Sequence, residues 1–270
     1  MIPIDLKSVL VLIWVFVLSA CTTSPTGRSQ LMIVSEAQAI DSSKTAYVEV
    51  INDYKEKGKL ATDPALDGRV RRITGRLIAQ AVRMRPETRQ WDWSMQVIDD
   101  PETVNAWAMA GGKMALYTGL VQKLQPSDDE LAQVLAHEIS HALAKHTAEK
   151  MSVVMAGQLG VAAVGAASDN SQLALSGAAL AAKLAVELPN SRTAEAEADR
   201  IGIELAAKAG YDPRAAATLW QKMGALSGGR MPEFLSTHPS PQNRQETLRK
   251  LADQMMPYYQ AKGERPSFDY

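Results

Sequence analysis

Between Val134 and His146 the chain reads VLAHEISHALAKH, so three of the four histidines in 270 residues fall within one short apolar stretch. Burying an imidazole is costly unless its ring nitrogens find partners. A fold that takes in all three must therefore supply those partners. Just upstream, Ser127, Asp128, Asp129 and Glu130 form a capping box, serine at the N-cap and glutamate three residues on, so a helix starts there. On that helix His137 and His141 stand four residues apart on one face, their side chains about 5–6 Å from each other. Two imidazoles so placed can share a metal ion, and Glu138 beside them can act as general base on its water.

A catalytic zinc takes three protein ligands and keeps one open position. Glu195, in SRTAEAEADRIG, is the candidate third ligand. Asp199, one turn later, is placed to accept the free ring N–H of His137 and fix its tautomer. Glu197 reads as a surface carboxylate of the same helix. His146 lies five residues beyond His141, roughly 140° round an uninterrupted helix. It cannot reach the same ion from there and reads as a residue behind the ligands or at the helix end.

The rest of the chain reads as an α+β body, mostly helical. Helical periodicity runs over about 35–54 and 64–84, then WDWSMQVID and NAWAMAGGKMALYTG alternate like strands around a double glycine. This predicts a small antiparallel sheet. Asn105, Ala106, Trp107 and Ala108 form an edge strand that an extended polypeptide can join by main-chain pairing, or else an ordinary core strand. Further helices follow at SRTAEAEADRIGIELAAKAG, after Asp212-Pro213, and over about 242–259. From Met151 to Pro189 only Asp169, Lys183 and Glu187 are charged. Alanine and glycine dominate there, which favours two packed helices over two membrane spans.

Hydrophobic residues at 46% and charged residues at 22% allow a sizeable core, and a net charge of −1 provides no basic field for nucleic acid. The N-terminus differs from the body. VLVLIWVFVLSA is too short to span a membrane comfortably and fits a signal peptide over residues 1–20. LSAC resembles the lipobox of bacterial lipoproteins, with Cys21, the only cysteine, as the lipidated residue. Thr22 in place of an aspartate favours, by the same resemblance, the outer membrane. TTSPTGRSQ then reads as a flexible spacer, so 21–34 is a lipidated tether, 35–262 the folded domain and 263–270 a C-terminal tail.

HExxH followed by ExxxD, met here as His137, Glu138, His141, Glu195 and Asp199, resembles the HtpX and CAAX-endopeptidase family of zinc metallopeptidases, in particular its LoiP- and BepA-type lipoprotein branch. The likeness runs from LMIVSEAQ to HPSPQNR. It implies a zincin-like (gluzincin) domain holding one Zn2+ per chain, with an envelope lipoprotein facing the periplasm that cleaves extended or misfolded polypeptides. The outer-membrane assembly machinery is the further partner it implies; an adaptor with a closed zinc site is the alternative. In that branch a histidine at the motif containing His238 can approach the zinc as a fourth ligand, which implies a switch, the alternative being an ordinary loop histidine. Arg244 is placed either to stabilise an oxyanion or to pair with an acidic neighbour.

Overall fold

The structure, a computed structural model, describes residues 21–61, 63–164, 183, 190–226, 232–239 and 243–270. The expected signal peptide at 1–20 and most of the alanine-rich stretch 151–189 lie outside the described residues. No described helix is long and apolar enough to cross a membrane.

Two long helices come first. Helix α1 (Glu36–Glu56) starts at Ser35, whose hydroxyl accepts from the Gln38 N–H while the Gln38 side chain returns the bond. Helix α2 (Pro64–Met84) has Asp63 as N-cap and proline in its first turn, where a missing N–H costs nothing. Its buried face is Val70, Ile73, Leu77, Ile78 and Ala81, the spacing of one helical stripe.

The sheet consists of β3 (Ser94–Ile98), β4 (Ala106–Met109) and β5 (Lys113–Tyr117), in the order β3-β5-β4. It is mixed, which corrects the antiparallel expectation. Direction alternates along the chain, so placing β5 in the middle makes it antiparallel to β4 and parallel to β3. The β4–β5 turn requires its double glycine. Gly111 and Gly112 both have φ near +75°, and a Cβ on Gly112 would lie 2.2 Å from the Trp93 ring. β4 is left at the sheet edge, with β5 as its only strand partner among the described residues.

Helix α3 (Thr118–Leu124) leads to α4 (Asp128–Leu143), which begins with the predicted box: Ser127 Oγ accepts the Glu130 N–H and Glu130 accepts the Ser127 N–H. From Glu130 to Leu143 every residue of α4 is buried. The helix is packed between α2, the sheet edge and α6 (Arg192–Lys208). A left-handed residue, Lys145 at φ 60°, breaks the chain between α4 and α5 (His146–Val164). After α6 come α7 (Ala215–Ala225), the short α8 (Glu233–Thr237) and α9 (Arg244–Gln260). The helix expected at Asp212-Pro213 starts regularly only at Ala215, because Asp212 Oδ1 accepts the Arg214 N–H in a turn first.

Residues 21–34 and 263–270 are more ordered than expected. The presumed flexible spacer contains a hairpin, β1 (Cys21–Thr23) and β2 (Ser29–Leu31), turned at Gly27. Polar side chains in its turn are tied to the domain, which composition alone does not reveal. The C-terminal tail packs on α2, with the Phe268 N–H donating to Gly75 O at 2.9 Å.

One close helix contact governs the site. A Cβ on Gly202 of α6 would lie 3.0 Å from His137 N and 3.1 Å from His137 Cα. Gly202→Ala should therefore force α6 off α4, costing about 1–3 kcal/mol and several degrees of melting temperature. A thermal melt indistinguishable from that of the unsubstituted chain would show that the contact is not tight.

Candidate metal centre

Three elements converge on one point. α4 presents His137 and His141 from successive turns, α6 presents Glu195, and the chain leaving α8 presents His238. All four are buried, and one ligand atom from each lies within 4.8 Å of every other. His137 Nε2 is 3.1 Å from His141 Nε2 and 3.3 Å from His238 Nδ1; His238 Nδ1 is 3.0 Å and His141 Nε2 3.4 Å from Glu195 Oε1. Zinc bonds of about 2.0–2.1 Å in a tetrahedron put neighbouring ligand atoms roughly 3.3–3.4 Å apart. Most of these separations fall close to that edge length.

The opposite side of each ring decides what the facing nitrogens are. His137 Nδ1 lies 3.0 Å from Asp199 Oδ1, and a carboxylate only accepts, so the proton is on Nδ1. His146 Nε2 lies 3.2 Å from Glu197 Oε2, so in the neutral His146 ring Nδ1 carries the lone pair. That lone pair takes the N–H of His141 Nδ1 at 2.7 Å. Both Nε2 atoms are thereby left with lone pairs aimed at each other. Such an arrangement is stable only with positive charge between or upon them. Burial disfavours a charged His137 ring, yet Asp199 and Glu195 overcome it and raise its pKa to about 9. The Glu195 carboxyl, completely buried, is nevertheless held well below the ordinary carboxylate range by His238 and His137. Its Oε2 lies 3.3 Å from both His137 Nε2 and Arg244 Nη2. Three imidazoles and a carboxylate with this charge demand fit a zinc ion.

Beside the quartet, Glu138 is 2% exposed and its Oε1 has no hydrogen-bond partner. Burial raises its pKa, against the pull of His238, His137 and the Ala108 N–H. The outer edge of β4 therefore faces Glu138. Glu138 and Ala108 share a cavity of about 20 Å³ with His141, Lys150, Asn190 and His238. That volume holds roughly one water. Burial also lowers the Lys150 ammonium to about 8.

One expectation needs correction. Glu197 is 5% exposed rather than a surface carboxylate, because both sides of α6 are covered here, one by α4 and the other by the N-terminal hairpin. Its carboxyl sits well below its ordinary pKa: burial opposes this, and hydrogen bonds from His146, Ser24, Thr26 and Arg28 outweigh it. Arg244 takes the pairing alternative. Its Nη2 donates to Asp199 Oδ1 at 2.6 Å and its guanidinium stacks 3.6 Å from the Trp220 ring centroid, away from the small cavity. His146 lies behind the ligands, as its spacing suggested, but reaches His141 only because the helix breaks before it. Sequence reasoning missed Thr26, Arg28, Lys150 and Asn190. His238 also stacks on Phe234, ring centroids 4.3 Å apart.

Residues 64–252 match the model of Peptidase family M48. The chain is 35% identical over 265 residues to the mitochondrial metalloendopeptidase OMA1 of Bos taurus, an alignment covering 94% of this chain and 50% of that protein. It is 35% identical over 226 residues to the mitochondrial metalloendopeptidase OMA1 of Schizosaccharomyces pombe, covering 82% and 62% respectively. With the beta-barrel assembly-enhancing protease of Escherichia coli it shares 30% identity over 216 residues, 77% of this chain and 43% of that protein. The chain thus spans about half the length of the curated relatives it matches. With the family model laid over α2 to the middle of α9, including all four residues of the buried quartet, the chain belongs to peptidase family M48.

Proposed function

We propose that the chain is a zinc-dependent metalloendopeptidase, lipid-anchored through Cys21 to a bacterial outer membrane and facing the periplasm, that cleaves extended or misfolded envelope proteins. The observation that carries this reading is the buried quartet His137, His141, Glu195 and His238 beside the buried Glu138 carboxyl, whose Oε1 lies 3.4 Å from His238 Nε2. The names of the relatives support it: metalloendopeptidase for OMA1, and beta-barrel assembly-enhancing protease for the bacterial protein. The latter name favours a place beside the outer-membrane assembly machinery.

His137, His141 and Glu195 would hold the ion, with Asp199 and His146 fixing the two ring tautomers. When bound, zinc supplies Lewis acidity and a water of lowered pKa. Glu138 removes the proton from the attacking water and returns it to the leaving amine, and its raised pKa suits a group that must do both. The edge of β4 at Ala106 to Ala108, buried but without a second strand partner among the described residues, would align an extended substrate by main-chain pairing, so selection is for exposed backbone rather than for one side chain. Arg244 keeps Asp199 and Glu195 in place.

A second reading is favoured by one observation. His238 occupies the fourth position of the quartet, and the adjoining cavity has room for a water but none for a peptide. This suits a closed enzyme or an adaptor for envelope assembly.

Glu138→Gln should retain stoichiometric zinc while casein turnover falls about 10²–10⁴-fold; undiminished turnover would remove Glu138 as the base. His238→Ala should raise turnover if the histidine holds the site shut, whereas silence toward every unfolded substrate, with zinc bound, favours the adaptor. Cys21→Ser should move the chain from the membrane to the soluble fraction, and continued membrane partitioning would contradict a lipid tether.

A further inference from the structure

The hairpin formed by β1 and β2 lies outside the stretch matched by the family model, yet its side chains end within the hydrogen-bond shell of the metal centre. Thr26 Oγ1 donates to Glu197 Oε1 at 2.6 Å, and Arg28 Nε donates to Glu197 Oε2 at 2.8 Å. The remaining arms of the Arg28 guanidinium fork onto Glu149 of α5, Nη1 to Oε1 and Nη2 to Oε2, both at 2.6 Å. Gln30 Nε2 donates to Ala144 O, a carbonyl left without a helical partner at the end of α4, and to Glu149. One hairpin thus ties together the end of the helix carrying His141, the start of the helix carrying His146, and the helix carrying Glu195.

The hydrogen-bond order gives this tie a chemical consequence. Arg28 and Thr26 fix the Glu197 carboxylate; Glu197 receives the His146 Nε2–H; His146 Nδ1 receives the His141 Nδ1–H; His141 Nε2 is left to the metal. Removing the first members leaves Glu197 held only by Ser24 and His146 and so freer to turn, and with it the proton on the wrong nitrogen of His141 becomes accessible. Three donors in a rigid plane serve two carboxylates at once, a geometry that an ammonium does not provide.

We infer that the N-terminal hairpin, through Thr26 and Arg28 acting on Glu197 and His146, is a positioning device that sets the orientation and tautomer of His141 and thereby the metal affinity of the centre. The inference rests on the reading of the quartet as a zinc site. It makes Arg28, Thr26, Glu197 and His146 positioning residues, none of them among the four ligand groups.

The test is zinc affinity of the full chain, measured by competition with a chromogenic chelator well below the melting temperature of each variant, together with the visible spectrum of the Co2+-substituted protein. Arg28→Ala and Glu197→Gln should each weaken zinc binding about 10–100-fold and shift the Co2+ bands. Arg28→Lys, which keeps the charge but not the fork, should fall between them and the unsubstituted chain. Thr26→Val removes a single hydroxyl at the turn and should lower affinity a few-fold; it still reports if Arg28→Ala fails to fold. Affinity within twofold of the unsubstituted chain and an unmoved Co2+ spectrum in these variants would overturn the inference. An unsubstituted chain that binds no zinc would instead overturn the metallopeptidase reading on which it rests.

Discussion

Two imidazole nitrogens held 3.1 Å apart, with a fully buried carboxylate beside them, are the interaction on which the rest of this structure depends. Without a positive charge between or upon the rings such a contact repels, so the surrounding fold must supply that charge and hold the rings in place. The capping box at Ser127 sets where α4 begins and hence the rotation of its histidine face. Gly202 lets α6 approach the backbone of His137 directly, bringing Glu195 into range. Asp199 and Arg244 then complete the wall behind His137 as an ion pair packed on Trp220. Together these contacts fix the positions of His137, His141 and Glu195 around one point.

The electrostatic plan follows from that. Behind the two α4 histidines stand two carboxylates, Asp199 on one side and Glu197 on the other, each neutralised in turn by an arginine, Arg244 and Arg28. The pattern of ring, carboxylate and guanidinium is repeated on both flanks of the quartet, once directly and once through His146. Alternating charges of this kind bury ionic groups without leaving a net charge unpaired, and they orient the rings more firmly than packing alone.

Much of this was legible in the sequence because it is local. The i, i+4 histidines, the capping box, the Glu195 and Asp199 turn and the double-glycine hairpin all fall within single elements, where helical or strand periodicity carries the information. What could not be read depends on contacts between distant segments. Arg28 and Glu197 are separated by 169 positions, and neither residue type in its local setting indicates burial. Glu197 looked solvent-facing because it stands two residues from Glu195, on the far side of the helix, and only the hairpin covers that side. The mixed sheet escaped for a similar reason: alternation identifies strands but not which of three takes the middle place. Arg244 left two roles open until the position of Asp199 chose between them.

The break at Ala144 and Lys145 has a consequence for how this region can change. A continuous helix would carry His146 away from His141; the left-handed step folds it back to within 2.7 Å. The junction therefore works as a ruler of set length. Gain or loss of one residue there would rotate everything that follows by about 100°, so this part of the chain tolerates exchange of side chains far better than any alteration in its number of residues.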